Sequence, residues 1–305
     1  MMSPKLRRTG FRVMSHDVAP AEILCHDRAM VARSVARDGQ EIPTFFYGTA
    51  WKEDETESCV RTAIDAGFVA IDTANQRKHY YEEGVGRALA GRPLFLQTKF
   101  TYRDGQDERL PYDEKAEVEA QIEQSFASSL VHLGVSKIDS YVLHGPSTRR
   151  GLADLDRRAW RAMELLHIDG KARHLGVSNV TLEQLELLCA HARVKPMLVQ
   201  NRCYARFGWD EKVRAFCDRH AIFYQGFSLL TANPEVLEDR RVQRMAKHRS
   251  VPVTRVVFRF CLEVGMIVLT GTKSSLHMRD DLLAYDTPPL SEEEREIIAR
   301  GFVRA

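Results

Sequence analysis

Eight short apolar runs recur along this chain, and stretches with helical spacing separate them. Short runs of this kind favour buried strands, whereas apolar residues spaced every three or four positions favour amphipathic helices. Strands that alternate with helices indicate β-α-β units and a parallel sheet. The pattern therefore predicts an α/β fold. The predicted strands cover residues 44–47, 68–73, 94–99, 138–144, 172–178, 197–201, 222–227 and 266–270.

The number of strands separates the two common α/β architectures. Eight strands joined by helices is the count of a (β/α)8 TIM barrel, and 305 residues suit such a barrel as a single domain. A doubly wound sheet would carry a GxGxxG turn after an early strand, and the sequence has none. Gly84-Val85-Gly86 lies inside a helical pattern instead. The predicted helices cover residues 53–66, 81–90, 113–133, 152–168, 182–191, 209–220, 236–249, 254–263, 276–283 and 292–301.

The residues before the first barrel strand divide into two parts. Residues 30–43 predict an N-terminal β-hairpin with Asp38-Gly39 at its turn. Residues 1–28 are basic, have no acid before Asp17, and lack the long apolar core of a secretory signal. We interpret them as a flexible N-terminal extension, with an organellar transit peptide as the alternative, and residues 29–305 as the barrel domain.

Composition narrows the class of protein and its partners. The formal net charge is only +2, which gives no reason to expect binding to nucleic acid or to an acidic membrane surface. The six cysteines include no CxxC pair, and scattered cysteines are typical of reduced thiols in the cytoplasm. No run approaches the length of a membrane span. We therefore expect a cytoplasmic protein, and a monomer is the default expectation.

Three of the predicted strands end on a chemically useful side chain. Asp72, Lys99 and His144 close the second, third and fourth strands, and a tyrosine pair, Tyr80 and Tyr81, follows Asp72. Barrel enzymes place their chemistry at the carboxyl ends of the strands. Acid, ammonium, phenol and imidazole groups gathered there predict a site for proton transfer.

Seven segments in a fixed order resemble the aldo-keto reductase family. They are GTAWK, GFVAIDTA, LFLQTKF, DSYVLHGPS, GKARHLGVSN, MLVQNRCY and GTKSSLHMRDDL, and the resemblance covers residues 30–287. It implies an enzyme that moves a hydride from a nicotinamide cofactor to a carbonyl carbon and so reduces an aldehyde or ketone. A non-catalytic regulatory subunit that binds the same cofactor is the alternative.

The resemblance also implies a role for each residue of the proton-transfer site. A tyrosine would donate the proton, Lys99 would lower the pKa of its phenol, and Asp72 would hold the lysine. His144 would orient the carbonyl oxygen. The usual family tyrosine lies five residues after the aspartate, which here is Arg77, and the loop is longer than usual.

Three residues of that longer loop compete for the position of the family's tyrosine. Alignment on the following helix would place His79 there. Family members with a similar loop favour Tyr80, which we expect to be the acid, with Tyr81 as the second choice.

The cofactor site is likewise implied by the resemblance. Ser178, Asn179 and Gln200 would bind the carboxamide, and the phenyl ring of Phe227 would stack on the nicotinamide. Lys273 and Arg279 could meet a ribose phosphate, which favours NADP over NAD, although NAD is possible. His277 and Asp281 stand where the family often has arginine and asparagine. The full predicted set is Gly48, Thr49, Ser178, Asn179, Gln200, Phe227, Ser228, Gly271, Thr272, Lys273, Ser274, His277 and Asp281.

The substrate pocket and its occupant are less constrained. Trp51, Tyr81 and Tyr102 are the expected pocket residues. The short tail after Asp286 and a polar loop after the third strand favour a small or polar carbonyl substrate. A barrel metallohydrolase would carry His-x-His on its first strand, and the segment TFFYGTA has no metal ligand there. We therefore expect no metal site.

Overall fold

A computed structural model describes residues 32–37 and 39–303. The predicted extension, residues 1–28, and Asp38 of the predicted turn lie outside the described residues. A hairpin precedes the barrel, formed by β1 (Ser34–Arg37) and β2 (Gln40–Pro43), which pair antiparallel with Arg37 opposite Gln40. The predicted N-terminal hairpin is therefore confirmed.

Eight parallel strands close into a barrel in the order β10-β3-β4-β5-β6-β7-β8-β9. Every predicted strand is present, with its ends within two residues of the expected ones, because each run is mostly apolar and is buried between the barrel interior and the outer helices. The (β/α)8 barrel predicted from the sequence is confirmed. The strands are β3 (Phe45–Gly48), β4 (Ala70–Asp72), β5 (Phe95–Phe100), β6 (Ile138–Leu143), β7 (Ala172–Ser178), β8 (Leu198–Arg202), β9 (Phe223–Phe227) and β10 (Ile267–Thr270).

Helices fill the crossovers between the strands, and three short 3-10 turns accompany them. The predicted helix 236–249 is wrong as a single element, because Asp239 leaves the helical conformation and its carboxylate accepts hydrogen bonds from the N–H groups of Arg241 and Val242. The helices are α1 (Thr56–Ala66), α2 (Glu82–Leu89), α3 (Val118–Leu133), α4 (Asp154–Ile168), α5 (Leu182–His191), α6 (Glu211–Arg219), α7 (Pro234–Glu238), α8 (Arg240–Arg249), α9 (Val253–Glu263), α10 (Ser275–Leu282) and α11 (Glu292–Arg300).

The interior of the barrel changes from apolar to polar along its axis. At the amino ends of the strands, an apolar cluster includes Phe46, Leu198, Phe223 and Ile267, and Ile42 of the hairpin is buried within it. The hairpin therefore closes this end of the barrel. At the carboxyl ends, the side chains that point inward are polar, and this end is the open one.

Two properties of the described residues bear on function. No helix in residues 32–37 and 39–303 has the length and apolar character needed to cross a membrane. In the same ranges, no three His, Cys, Asp or Glu side chains are grouped so that they could hold a metal ion.

Candidate active site

A buried ion pair lies at the centre of the open end. Asp72 is the last residue of β4 and Lys99 lies near the end of β5, so the barrel brings both side chains inward at the same level. The Lys99 ammonium donates to both carboxylate oxygens of Asp72, at 2.7 and 2.8 Å, and to the carbonyl oxygen of Thr73 at 2.7 Å. These three acceptors use all three of its N–H groups. Burial lowers the pKa of Lys99, and Asp72 opposes that effect.

The ring of Tyr80 lies directly beside this ion pair. Its centroid is 5.2 Å from Lys99 Nζ and 6.0 Å from the centroid of the His144 ring, which it meets edge to face. The loop is held in place by Gln76, whose backbone oxygen accepts from Tyr80 N at 3.0 Å and whose side chain donates to the carbonyl oxygen of Gly105 at 2.6 Å. The structure therefore brings Tyr80, Asp72, Lys99 and His144 together.

The pKa of Tyr80 is raised, the opposite of the direction expected from its neighbour Lys99. Loss of solvation on burial is the main cause, and the negative charge of Asp72 adds to it. The ammonium of Lys99 faces the ring of Tyr80, and its N–H groups are already donated to Asp72 and Thr73. The phenol is therefore kept in its protonated form.

The other candidates for the tyrosine position point elsewhere. The ring of Tyr81 lies between two guanidinium groups, at 4.0 Å from Arg77 and 5.2 Å from Arg87. His79 stacks on Trp51 with 3.8 Å between ring centroids, and its Nδ1 meets the side-chain oxygen of Gln76 at 2.9 Å. Only Tyr80, of these three side chains, contacts the Lys99 ammonium and the His144 ring.

His144 links the ion pair to a large cavity. Burial lowers the pKa of its imidazole to about 3, and the positive charge of Lys99 contributes, so the ring is neutral at neutral pH. Its Nδ1 lies 2.6 Å from Thr101 Oγ1, which fixes the orientation of the ring. A neutral imidazole in this position can form a hydrogen bond to a carbonyl oxygen without bringing a net charge.

The cavity beside His144 has a volume of about 850 Å³ and is lined by the loops that follow β5, β6 and β7. Tyr102, one of the expected pocket residues, lines it, and its hydroxyl donates to Asp156 Oδ1 at 3.0 Å.

Trp51 and Tyr81, the other expected pocket residues, do not line the cavity. Trp51 is 65% exposed where it stacks on His79, whereas Tyr81 packs against the two arginines. Arg103 and Arg158 give the rim a charged character.

Two of the expected carboxamide-binding residues follow each other at the end of β7, and the third lies on β8. Ser178 Oγ donates to the backbone oxygen of Gln200 at 2.7 Å, and both side chains are buried. Asn179 is exposed, adopts a left-handed backbone conformation with φ of 52°, and donates from its side chain to the carbonyl oxygen of His144 at 2.8 Å. A non-glycine residue in this conformation costs free energy, and such residues cluster at functional sites.

The other expected cofactor residues at the strand ends form two groups. Some are partly accessible, and the others are buried and already hydrogen-bonded or closely packed. Phe227 and Ser228 are half-buried at the end of β9, and Ser228 is also left-handed with φ of 56°. Thr49 is fully buried, and its hydroxyl donates to the backbone oxygen of Asp72 at 3.0 Å. Gly48 has little room for a larger side chain, because an added Cβ would lie 3.3 Å from the carbonyl oxygen of Thr270. Thr49 is therefore hydrogen-bonded to the end of β4, and Gly48 packs closely against the end of β10.

The loop between β10 and α10 is anchored at several points. Tyr47 donates its hydroxyl to the carbonyl oxygen of Thr272 at 2.9 Å, and Lys52 donates to that of Gly271. Lys52 is buried and was not singled out from the sequence. Lys273 is half-exposed and pairs with Glu55 at 2.7 Å. Ser274 caps α10 by accepting from the backbone N–H of His277, whose side chain is exposed.

Asp281 does not face the open end as expected of a cofactor ligand. Its side chain is buried and accepts a hydrogen bond from Thr270 Oγ1 at 2.8 Å. Burial raises its pKa to about 6. The residue is turned towards β10 because the hydroxyl at the strand end gives its carboxylate a partner. This hydrogen bond occupies one carboxylate oxygen of Asp281, and its assignment to the cofactor site stays a prediction.

The sequence analysis also missed two buried glutamines, Gln97 on β5 and Gln225 on β9. The signal for them was present, because each is a polar residue inside a strand that is otherwise apolar, in FLQTKF and FYQGF. Their amides contact Asp72 and Gln200.

The open end offers the polar groups that a nicotinamide carboxamide requires. The side-chain oxygens of Asn179 and Gln200 can accept hydrogen bonds from a carboxamide NH2 group, and the half-buried ring of Phe227 offers an apolar face. Lys273 and Arg279 lie on the loop and helix that would meet a phosphate. The residues present therefore fit a nicotinamide dinucleotide.

Comparisons with known proteins agree with this arrangement. The model of the Aldo/keto reductase family matches residues 44–300. Among curated relatives, the glyoxal reductase of Bacillus subtilis is 30% identical over 86% of this chain and 89% of its own length. The methylglyoxal reductase DkgA of Yersinia pestis is 26% identical over 84% of this chain and 88% of its own.

Solved structures show the same similarity. An aldo/keto reductase from Brucella melitensis superposes with a TM-score of 0.76 at 28% identity, covering 88% of this chain and 98% of that one. A mutant of the Gox0644 protein, solved in complex with NADPH, gives a TM-score of 0.76 at 25% identity, with coverage of 89% and 93%. The family match alone spans more than half of the sequence. The chain belongs to the aldo/keto reductase family, whose members are oxidoreductases that act on carbonyl groups.

Proposed function

We propose that this protein uses NADPH to reduce a small, polar aldehyde or ketone to the alcohol, with Tyr80 as the proton donor. The observation that carries the proposal is the position of the Tyr80 ring, between the ammonium of Lys99 and the ring of His144. His144 also lines the cavity of about 850 Å³, and the Tyr80 ring, which does not line it, lies next to that histidine.

Each side chain has a separate part in the proton transfer. The nicotinamide, when bound, supplies the hydride. Burial keeps the Tyr80 phenol protonated, so it can give its proton to the carbonyl oxygen as negative charge develops there. The neutral His144 orients that oxygen, and the ammonium of Lys99, held by Asp72, stabilises the phenolate that remains.

The substrate class follows from the rim of the cavity and from the relatives. Arg103, Asp104, Glu117 and Arg158 surround the entrance with charge, which suits a small polar molecule. Two relatives are named for the reduction of glyoxal and methylglyoxal. Small dicarbonyl compounds are therefore the substrates we propose to test first.

The preference for NADPH rests on the cationic side chains near α10. Lys273 and Arg279 are exposed there, and a ribose phosphate carries a charge that both could neutralise. Titration of the protein's tryptophan fluorescence with NADPH and with NADH would measure the preference. We expect tighter binding of NADPH, followed by its oxidation when glyoxal or methylglyoxal is added. Binding without oxidation of NADPH by any carbonyl would replace the proposal with a cofactor-binding regulatory subunit.

The assignment of Tyr80 is tested by two neighbouring substitutions. Tyr80→Phe removes the only hydroxyl proposed to donate a proton, so kcat should fall about 10²- to 10⁴-fold while the Kd for NADPH stays within about twofold. Tyr81→Phe is the matched control and should retain most of the turnover, because that ring packs between Arg77 and Arg87. The reverse result would move the proton donor to Tyr81.

A further inference from the structure

Three glutamines meet inside the barrel directly below the ion pair of the proposed active site. Gln97, Gln200 and Gln225 lie on β5, β8 and β9, and their exposed fractions are 0%, 3% and 0%. Gln97 is paired with Asp72 in the β4–β5 register, and Gln200 with Gln225 in the β8–β9 register. Glutamine is seldom fully buried, so three converging in one interior layer require an explanation.

Their side chains form a closed ring of hydrogen bonds with Asp72. Gln97 Nε2 donates to Asp72 Oδ1 at 2.6 Å and to Gln225 Oε1 at 2.8 Å. Gln200 Nε2 donates to the same two atoms, at 3.0 and 2.8 Å. The ring therefore joins Asp72 to Gln225 twice, once through each of the other glutamines.

Chemistry fixes which way each amide points. An ionised carboxylate only accepts hydrogen bonds, so Gln97 and Gln200 must both turn their NH2 groups towards Asp72. Gln225 then meets two donors and must present its oxygen. Because both N–H groups of Gln200 are used in this way, its oxygen is left on the other side, 3.5 Å from Ser178 Oγ.

The ring leaves two buried polar atoms unsatisfied. Gln97 Oε1 and Gln225 Nε2 have no hydrogen-bond partner among the residues that the structure describes. Unpaired buried polar atoms cost stability, and each calls for a reason. Apolar side chains of similar size would avoid that cost in a barrel whose lower half is already apolar.

We propose that Gln97 and Gln225 are positioning residues for the carbonyl reduction. The ring holds the carboxylate of Asp72 beneath Lys99, and it also turns the oxygen of Gln200 towards Ser178 and the proposed carboxamide site. One interior layer thereby aligns the proton-transfer side and the cofactor side. This inference rests on the proposed function, because it assigns the two glutamines to that same site.

Three variants test the proposal: Gln97→Met, Gln225→Met and the double variant. Methionine is unbranched and close to glutamine in size, so it removes the hydrogen bonds with little change in packing. Gln97→Met removes a direct donor to Asp72, and we expect hydride transfer in a single turnover to slow about 10- to 100-fold. Gln225→Met frees Gln200, and we expect it chiefly to raise the Kd for NADPH several-fold.

The double variant separates a positioning role from a structural one. In Gln225→Met, Gln97 and Gln200 each keep a buried N–H without an acceptor, and removing Gln97 as well relieves one of these. The double variant should therefore be more stable than Gln225→Met, yet transfer hydride no faster than Gln97→Met. If hydride transfer instead recovers together with stability, the glutamines only support the fold and the proposal fails.

A control in the same layer and a baseline complete the experiment. Ser140 is fully buried, lies opposite Gln97 in the β5–β6 register, and its hydroxyl has no partner among the described residues. Ser140→Ala should change neither rate nor Kd, and variants at Gln97 and Gln225 that behave like it would overturn the proposal. Turnover of the unsubstituted protein, measured first, tests the proposed function separately, and the Kd for NADPH reports on the ring even without turnover.

Discussion

Two histidines inside the barrel are kept neutral, but in different surroundings. Burial lowers the pKa of His144 to about 3 at the open end and that of His174 to about 4 near the closed end. His144 has Thr101 as a hydrogen-bond partner and borders the cavity. His174 stacks on Phe95 at 6.1 Å, and its Nε2 has no partner among the described residues. The first borders the proposed active site, whereas the second should chiefly affect stability.

His174 should make the protein sensitive to acid. The unfolded chain binds a proton at this histidine below about pH 6.5, whereas the folded chain resists doing so until about pH 4. Stability is therefore lost as the pH falls from about 6.5 to 4, by about 3 kcal/mol from this group alone. His174→Leu should remove that part of the loss, measured as the difference in urea unfolding free energy between pH 7.5 and 5.

The exposed His248 on α8 provides the control for this measurement. His248→Gln should leave the pH dependence of unfolding as it is in the unsubstituted protein. An identical pH dependence for His174→Leu and the unsubstituted protein would mean that the pKa of His174 is the same in the folded and unfolded states.

At the scale of elements, the glycines of α2 determine how closely two helices approach. The Gly84-Val85-Gly86 segment lies on α2 as predicted, and not in a nucleotide-binding turn. A Cβ added at Gly86 would lie 2.1 Å from the carbonyl oxygen of His132 and 3.0 Å from Leu133 Cα, at the end of α3. Only a glycine allows the two backbones to come this close.

Gly86→Ala should therefore destabilise the fold by about 1–3 kcal/mol or more, despite the better helix propensity of alanine. Gly84→Ala is the matched comparison on the same helix, because its Cβ would meet Thr56 Cβ at 3.1 Å and Tyr81 Cδ1 at 3.2 Å. Its nearest backbone contact would be Glu57 N at 3.3 Å, much longer than the 2.1 Å at Gly86, so its cost should be smaller. Thermal unfolding of both variants measures this difference in stability. Equal stability of the two variants would show that α2 and α3 can move apart at Gly86 without an added cost.

In the loop between β4 and α2, the directions of the side chains could not be predicted from the sequence. The sequence narrowed the expected proton donor to a few adjacent residues and favoured Tyr80 over Tyr81 only through the family resemblance. Their directions depend on distant contacts, namely Gln76 with Gly105 and Arg77 and Arg87 with the Tyr81 ring. Contacts of this kind leave no periodic signal in the local sequence.

At the scale of the whole molecule, the barrel was predictable because its signal is local and repeated. Each strand is a short, mostly apolar run, and Asp72, Lys99 and His144 lie at or next to the ends of three of them, so the fold and a candidate site could be predicted together. The inward turn of Asp281 and the glutamine ring could not be read in this way. The contact of Asp281 depends on how α10 packs against the end of β10. The ring joins residues of β4, β5, β8 and β9, which only closure of the barrel brings near.

Substitutions at the closed end of the barrel should lower stability without changing catalysis at the open end. Ile42 of the hairpin is fully buried in the apolar cluster at the closed end, among Phe46 and Phe223. Ile42→Ala should lower the unfolding free energy by about 2–5 kcal/mol, and Ile42→Val by about 0.5–1.5 kcal/mol. Because the polar layer around Gln97 lies between this cluster and Lys99, kcat/KM for carbonyl reduction should be unchanged at temperatures where both variants are folded. A graded loss of kcat/KM in the order Val then Ala would instead show that packing at the closed end reaches the ion pair through the strands.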